Sequence, residues 1–258
     1  MTLSVANIDL FLLVFMRMSG AVLFNPILGR NNIPYTLKAA LSLIVSFLCI
    51  PLLDASKVAT GSIVALAVCC VTELAVGLAL GVLISGLFSV VLVAGELIDQ
   101  QMGFSMATFY DPNSGVNMPV VGSLFNTLLL LTFFASNAHL TFFRLVSDSY
   151  KAIPPGTAML TTKSMQFVVM MGGDIFEMGL RLALPILAVE LIVQLASGIL
   201  MRAVPQINVF TAGIQLQAVV GIVMLVLILP IIMTLCGRLT DYMIEKCVEV
   251  LKMMIPST

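Results

Sequence analysis

Residues 61–95 read GSIVALAVCCVTELAVGLALGVLISGLFSVVLVAG, thirty-five positions with one charge, Glu73. Crossing ~30 Å of hydrocarbon takes ~20 apolar residues. As a single helix this stretch would extend about 52 Å, too long for one untilted crossing. It is either a tight helical hairpin or one long helix that rises out of the membrane. Both readings make the chain an α-helical membrane protein. A membrane β-barrel would alternate apolar and polar positions in ~10-residue segments, and these runs are continuous.

The remaining sequence has the same character. Of 258 residues, 60% are hydrophobic and 10% charged, where soluble domains carry ~25% charged residues. That leaves too little polar surface to coat a globule, which excludes a soluble enzyme. It equally excludes a disordered chain. The net charge is −1, and no basic patch suits nucleic acid. The five cysteines, Cys49, Cys69, Cys70, Cys236 and Cys247, form no C-x-x-C and outline neither a disulfide framework nor a zinc site. There is no phosphate-binding loop, H-E-x-x-H or G-x-G-x-x-G. No catalytic residue, cofactor or metal ligand is predicted. The first residues do not read as a cleaved leader, since Arg17 interrupts the first apolar run.

Further apolar segments cover residues 10–29, 36–53, 119–143, 164–201 and 212–236, the last running on into an amphipathic tail to about residue 254. In the tail, Leu239, Met243, Cys247, Val250 and Met254 step at helical spacing. That stripe packs on its own chain or offers a face to a partner. If 61–95 is a hairpin, alternate loops hold eight basic residues on one side and two on the other. The excess then places the N-terminus outside and the C-terminus in the cytoplasm. Residues 164–201 and 212–254 form a long helical hairpin joined by a proline-containing link. The part before residue 163 is a separate set of shorter helices.

Ionisable residues inside apolar segments are costly and mark functional candidates. Asp174, Glu177 and Arg181 fall on one helix face at i, i+3 and i+7, in a segment also interrupted by Pro185 and Glu190. Glu96, Asp99, Gln100 and Gly103 make a second one-sided stripe, and Arg17 lies within the first segment. In a secondary transporter, Asp174, Glu177 and Arg181 would hold a proton or ion. In an assembly they would dock on other subunits or line a watery lumen. A transporter would be expected to carry an internal inverted repeat, and none is visible. Gly77 and Gly81, extended by Ser85, give a small face for close helix approach.

Residues 102–121, MGFSMATFYDPNSGVNMPVV, are unlike the rest. Asp111-Pro112-Asn113-Ser114-Gly115 is turn chemistry. Met102, Phe104, Met106, Phe109, Tyr110 and Met118 are too apolar for a free aqueous loop. Irregular backbone at membrane depth is tolerated inside protein or beside a water-filled cavity. A loop folded into a pore as a plug fits this composition, and flexible Met suits sealing irregular gaps.

Four stretches, in order, resemble one family. They are Phe15-x-Arg17-x-x-Gly20 with Pro26-x-x-Gly29 and Pro34; Gly95-Glu96-x-x-Asp99-x-Gln101-x-Gly103; Asp111-Pro112; and Gly198-x-x-x-Arg202-x-x-Pro205-Gln206-x-Asn208-Val209-Phe210. Together they are similar to the FliR/SctT family of export-gate subunits from the flagellar and type III secretion apparatus. The resemblance implies an all-α, membrane-derived protein. Residues 1–162 would be FliP-like helices with a plug loop at 103–118, and residues 163–258 a FliQ-like helical hairpin. It implies one copy in a hetero-oligomer with FliP and FliQ homologues, wrapped by an FlhB homologue, in the bacterial inner membrane at the flagellar basal body. Unfolded exported proteins would pass a channel that this chain helps form and close. The plug would use Met102, Phe104, Met106, Phe109, Tyr110, Asp111, Pro112 and Met118. Subunit contacts would use Arg17, Glu96, Asp99, Asp174, Glu177, Arg181, Arg202, Pro205, Gln206 and Asn208. Export is powered elsewhere in such a machine, so no enzyme chemistry is expected.

Overall fold

A computed structural model describes residues 5–27, 33–53, 62–104, 109–111, 116–203 and 209–255. Seven α-helices carry these residues: α1 (Val5–Leu23), α2 (Tyr35–Cys49), α3 (Ile63–Gln101), α4 (Val120–Ala135), α5 (Ala138–Ala152), α6 (Thr162–Ala203) and α7 (Val209–Met253). A 3₁₀ turn, Ile50–Leu52, follows α2. Between α3 and α4 lie two short strands, β1 (Phe109–Asp111) and β2 (Val116–Met118). They pair antiparallel with Phe109 opposite Met118. Apart from this ribbon the described chain is all-α.

The stretch 61–95 does not form a hairpin. From Ile63 on it belongs to α3, one continuous helix of 39 residues. Between Ile63 and Gln101 there is no Pro, Asn or other turn cluster to break the helix. Its glycines serve close packing instead. A Cβ at Gly77 would run into the Arg17 carbonyl of α1, and one at Gly20 would sit 2.5 Å from the Leu74 carbonyl and 2.8 Å from the Leu78 amide. Small residues on both helices let the two backbones approach this closely. The eight-to-two division of loop charges required the hairpin and is lost with it, together with the orientation drawn from it.

Two further segments differ from expectation. The span expected at 119–143 breaks into α4 and α5 at Ser136–Asn137. Asn137 is left-handed there (φ 56°), a conformation Asn tolerates better than most residues, and its carbonyl accepts the first amides of α5 from Leu140 and Thr141. The segment at 36–53 yields α2, whose 15 residues fall short of the ~20 needed to span hydrocarbon. Among the described residues, three helices are long and apolar enough to cross a membrane, or four if α4 and α5 act as one bent span.

The chain packs as two compact units, and α3, α6 and α7 each contribute to both. Unit 1 holds residues 1–86, 137–172 and 241–258; unit 2 holds 87–136 and 173–240. The core of unit 1 takes Leu13, Val14 and Met18 from α1, Val76, Leu80 and Leu83 from α3, and Phe142, Val146 and Tyr150 from α5, all buried. The tail stripe packs on its own chain, since Met243, Cys247 and Val250 of α7, and Met254 just after it, are at most 2% exposed. In unit 2 the core takes Leu87, Val91 and Ile98 from α3, Phe125, Leu129 and Phe133 from α4, Ala183 and Ile186 from α6, and Ile232 and Cys236 from α7.

Helix α2 is inside-out relative to a water-soluble helix. Its buried face carries Lys38, Ser42, Ser46 and Cys49, while Leu37, Ile44, Phe47 and Leu48 are exposed. The two serines satisfy themselves by donating to the carbonyls of Lys38 and Ser42, one turn back.

The close helix approach makes a contrast testable. Gly77→Val should destabilise the chain by at least ~1–3 kcal/mol, the cost of overpacking. At Gly172 nothing lies within 4 Å of where an added Cβ would sit, so Gly172→Ala should be neutral or stabilising by up to ~1 kcal/mol. Melting midpoints in detergent would read both, and matching midpoints would contradict the close approach.

Candidate functional site

Arg17 and Glu73 meet at the centre of unit 1. Both side chains have zero exposure, and Arg17 Nε lies 2.5 Å from Glu73 Oε2. Arg17 Nη1 donates to Ser149 Oγ at 2.9 Å, and Nη2 to the Ile153 carbonyl at 3.1 Å. The second Glu73 oxygen accepts the Gly156 amide at 2.8 Å, in a turn where Gly156 is left-handed (φ 82°) and so favours glycine. The Tyr150 ring lies 4.5 Å from the guanidinium carbon, and its hydroxyl donates to the Val14 carbonyl at 2.9 Å. Arg17, expected at a subunit face, is thus held wholly inside its own chain. Its partner was missed as a partner. Glu73 stands out in sequence as the lone charge of an apolar run, but nothing local links two residues 56 positions apart.

The second group lies in unit 2, around the end of α3 and the start of α4. Asp99 is buried, and both its oxygens accept the Val121 amide at 3.2 Å. Helix α4 begins after Pro119, which supplies no side-chain cap. Asp99 therefore caps α4 from another helix, where its charge also suits the helix dipole. Glu96, one turn earlier, is exposed. Gln101 accepts a hydrogen bond from Gln194 of α6 at 2.7 Å, a link the sequence does not signal. Met102, expected in the plug, has zero exposure and packs over Gly221 of α7, where an added Cβ would lie 2.6 Å from the methionine. Phe104 is half-buried. The segment expected as an irregular loop contains the ribbon, whose register places Asp111 opposite Val116. Phe109, Tyr110, Asp111 and Met118 are its strand residues, described by their backbone. Met106 and Pro112 lie outside the described residues.

The third group lies along α6. Asp174 is half-buried. Glu177 and Arg181 pair with each other across one turn, with side chains 58% and 73% exposed. Arg202 is exposed, and Pro205, Gln206 and Asn208 lie outside the described residues. Around these charges the apolar side chains face outward as well: Ile192, Leu195 and Ile199 on α6, and Val219, Val226 and Leu227 on α7, are all at least 60% exposed. Of the most apolar stretches of α6 and α7, 28% and 22% are buried within the chain, against 67% in α3. Among the described residues no three His, Cys, Asp or Glu side chains gather as metal ligands.

These features define a membrane-embedded helical protein whose two longest helices keep apolar faces that their own chain leaves uncovered. Residues 8–243 match the family described as bacterial export proteins, family 1. The chain is 34% identical to the flagellar biosynthetic protein FliR of Escherichia coli K12 over 232 residues, covering 90% of this chain and 88% of that one. It is 31% identical to FliR of Pectobacterium carotovorum over 92% of this chain and 90% of the relative. FliR of Bacillus subtilis 168 is 30% identical over 91% and 92%. The chain belongs to this export family, the FliR family, and is a component of a flagellar export apparatus. The relatives' names denote flagellar biosynthesis rather than a catalysed reaction.

The buried ion pair yields a prediction. Removing one partner leaves an uncompensated buried charge, at a cost of ~3–5 kcal/mol. Glu73→Leu or Arg17→Met alone should abolish folded protein or lower its melting midpoint sharply. The double variant should recover much of the loss. A double variant no better than the worse single would show that the pair is not coupled.

Proposed function

We propose that this chain is the structural and gating subunit of the flagellar export channel, assembled with FliP, FliQ and FlhB homologues as a single copy in the inner membrane. Residues 1–162 act as the FliP-like part and 163–258 as the FliQ-like hairpin. Unfolded export substrates pass the channel, and residues 103–118 help to close it. The observation that carries this reading is the uncovered surface of α6 and α7, apolar side chains flanking an exposed ion pair. Lipid tails suit that surface poorly. Each charge at a helix centre costs ~2.5–3.5 kcal/mol in hydrocarbon, and an i,i+4 pair returns only ~0.3–0.5 kcal/mol. Neighbouring helices or a watery lumen accept both kinds of side chain. A coupling-ion site at Asp174, Glu177 and Arg181 is disfavoured because Glu177 and Arg181 neutralise each other on the surface.

Deleting residues 106–115 is expected to leave assembly intact and to make the membrane leaky to ions. Planar-bilayer conductance of the purified complex measures this, and an assembled deletion variant with unchanged conductance argues against the plug. Separately, Glu177→Leu makes α6 more hydrophobic yet should impair assembly or motility. Normal complex yield and normal swimming would instead mean that this face meets lipid.

A further inference from the structure

Glu190 of α6 has zero exposure, and neither carboxylate oxygen has a hydrogen-bond partner among the described residues. Among the described residues of unit 2 no cation is placed to answer it. The sequence of unit 2 contains three basic residues, Arg181, Arg202 and Arg238. Arg181 is engaged with Glu177 and lies nine residues away, about 13 Å along the helix. Arg202 is exposed and about 18 Å away in the other direction. Arg238 is exposed near the end of α7's share of the unit.

Apart from α6 and the ribbon's Asp111, the elements that build unit 2 carry few charges. Helix α4 has no ionisable side chain, and α7 has only Cys236 before Arg238. Helix α3 offers Glu96, which is exposed, and Asp99, which is occupied by the Val121 amide. On α6 itself, Gln194 and Ser197 continue the Glu190 face at i+4 and i+7. Gln194 is bonded to Gln101 of α3, and the buried Ser197 donates to the Val193 carbonyl at 2.7 Å. From Glu190 to Ser197 the inward face of α6 is therefore polar and neutral except at Glu190, while the turns before it present the apolar Ala183 and Ile186.

An enclosed carboxylate with no donor and no counter-charge is strongly disfavoured, whereas the neutral acid is tolerated. A bound proton relieves it without opening the helix packing. We propose that Glu190 is a proton-binding site: it is a neutral carboxylic acid while α6 is packed against α3 through Gln194 and Gln101. When that packing opens, the O–H bond breaks, the proton passes to entering water, and the carboxylate remains hydrated. The site couples proton occupancy to the packing of unit 2.

The test uses the full chain in its purified membrane complex, with ¹³C-carboxyl-labelled glutamate and infrared or solid-state NMR detection. At roughly neutral pH the wild type should show a protonated-carboxyl signal that Glu190→Gln loses. Glu190→Asp keeps the acid but carries no label there, so it should lose the signal too, which covers a Gln variant that fails to fold. A wild type without a protonated glutamate signal, or a signal that survives both substitutions, overturns the proposal. Stability gives a second reading. A proton held in the folded state means that wild-type stability falls as pH rises above the ordinary carboxylate range. The melting midpoint of Glu190→Gln should therefore exceed that of wild type by a margin that grows from roughly pH 5 to pH 9. A margin constant across that range overturns the coupling.

Discussion

A guanidinium and a carboxylate with no access to water set the terms for unit 1. Once Arg17 and Glu73 are desolvated, each must find every partner within the protein, and they do so on α1, α3, α5 and the turn at Gly156. Bundles of Leu, Val and Ala tolerate sliding, because one apolar turn resembles the next. Here a slip of one turn, ~5.4 Å, would strand both charges. The pair therefore fixes the register that the apolar contacts leave loose. The Ile153 carbonyl, at the C-terminal end of α5, is also where a helix dipole favours a cation. The glycine contacts between α1 and α3 bring the two backbones close enough for the pair to form.

Outside that centre the usual placement of polar and apolar side chains is partly reversed. Helix α2 turns serines inward and leucines outward, and α6 and α7 expose long apolar faces. Water would penalise such an arrangement. Hydrocarbon, or the helices of other subunits, removes the penalty, and close packing of small residues then becomes the main source of helix association. The exposed Glu177–Arg181 pair belongs to the same surface and argues for protein or lumen at its level.

Periodicity made a good part of this legible in the sequence. The tail stripe follows helical spacing and is buried from Met243 to Met254, with Leu239 at its start half-buried. The long helices at 164–201 and 212–254 appear as α6 and α7 with ends shifted by a few residues. What local pattern does not encode is who meets whom. Arg17 and Asp99 stand out as charges in apolar or turn-flanked segments, yet their partners, Glu73 and the amide of Val121, lie 56 and 22 residues away. Both charges proved to be internal ties. Met102 likewise reads as part of the irregular stretch 102–121 by composition, whereas the chain tucks it over Gly221. Of the two readings of 61–95, the hairpin leans on loop charges and on bilayer thickness, a length limit that binds only a helix lying wholly in lipid; the other reading, one long helix, is the one α3 adopts.

Helix α3 has a geometric consequence of its own. Thirty-nine residues measure about 58 Å, so fitting the helix into ~30 Å of hydrocarbon would demand a tilt of about 59°, beyond the 0–40° that membrane helices adopt. Part of α3 must therefore stand clear of the acyl chains, although its sequence stays apolar nearly to its end. Helices α6 and α7, at 42 and 45 residues, outrun the bilayer further still. In such a protein the lipid boundary is no longer written in the hydropathy of the chain. It is set by whichever neighbours wrap the protruding lengths, and the same apolar helix can be a membrane anchor at one level and the wall of a protein tower at the next.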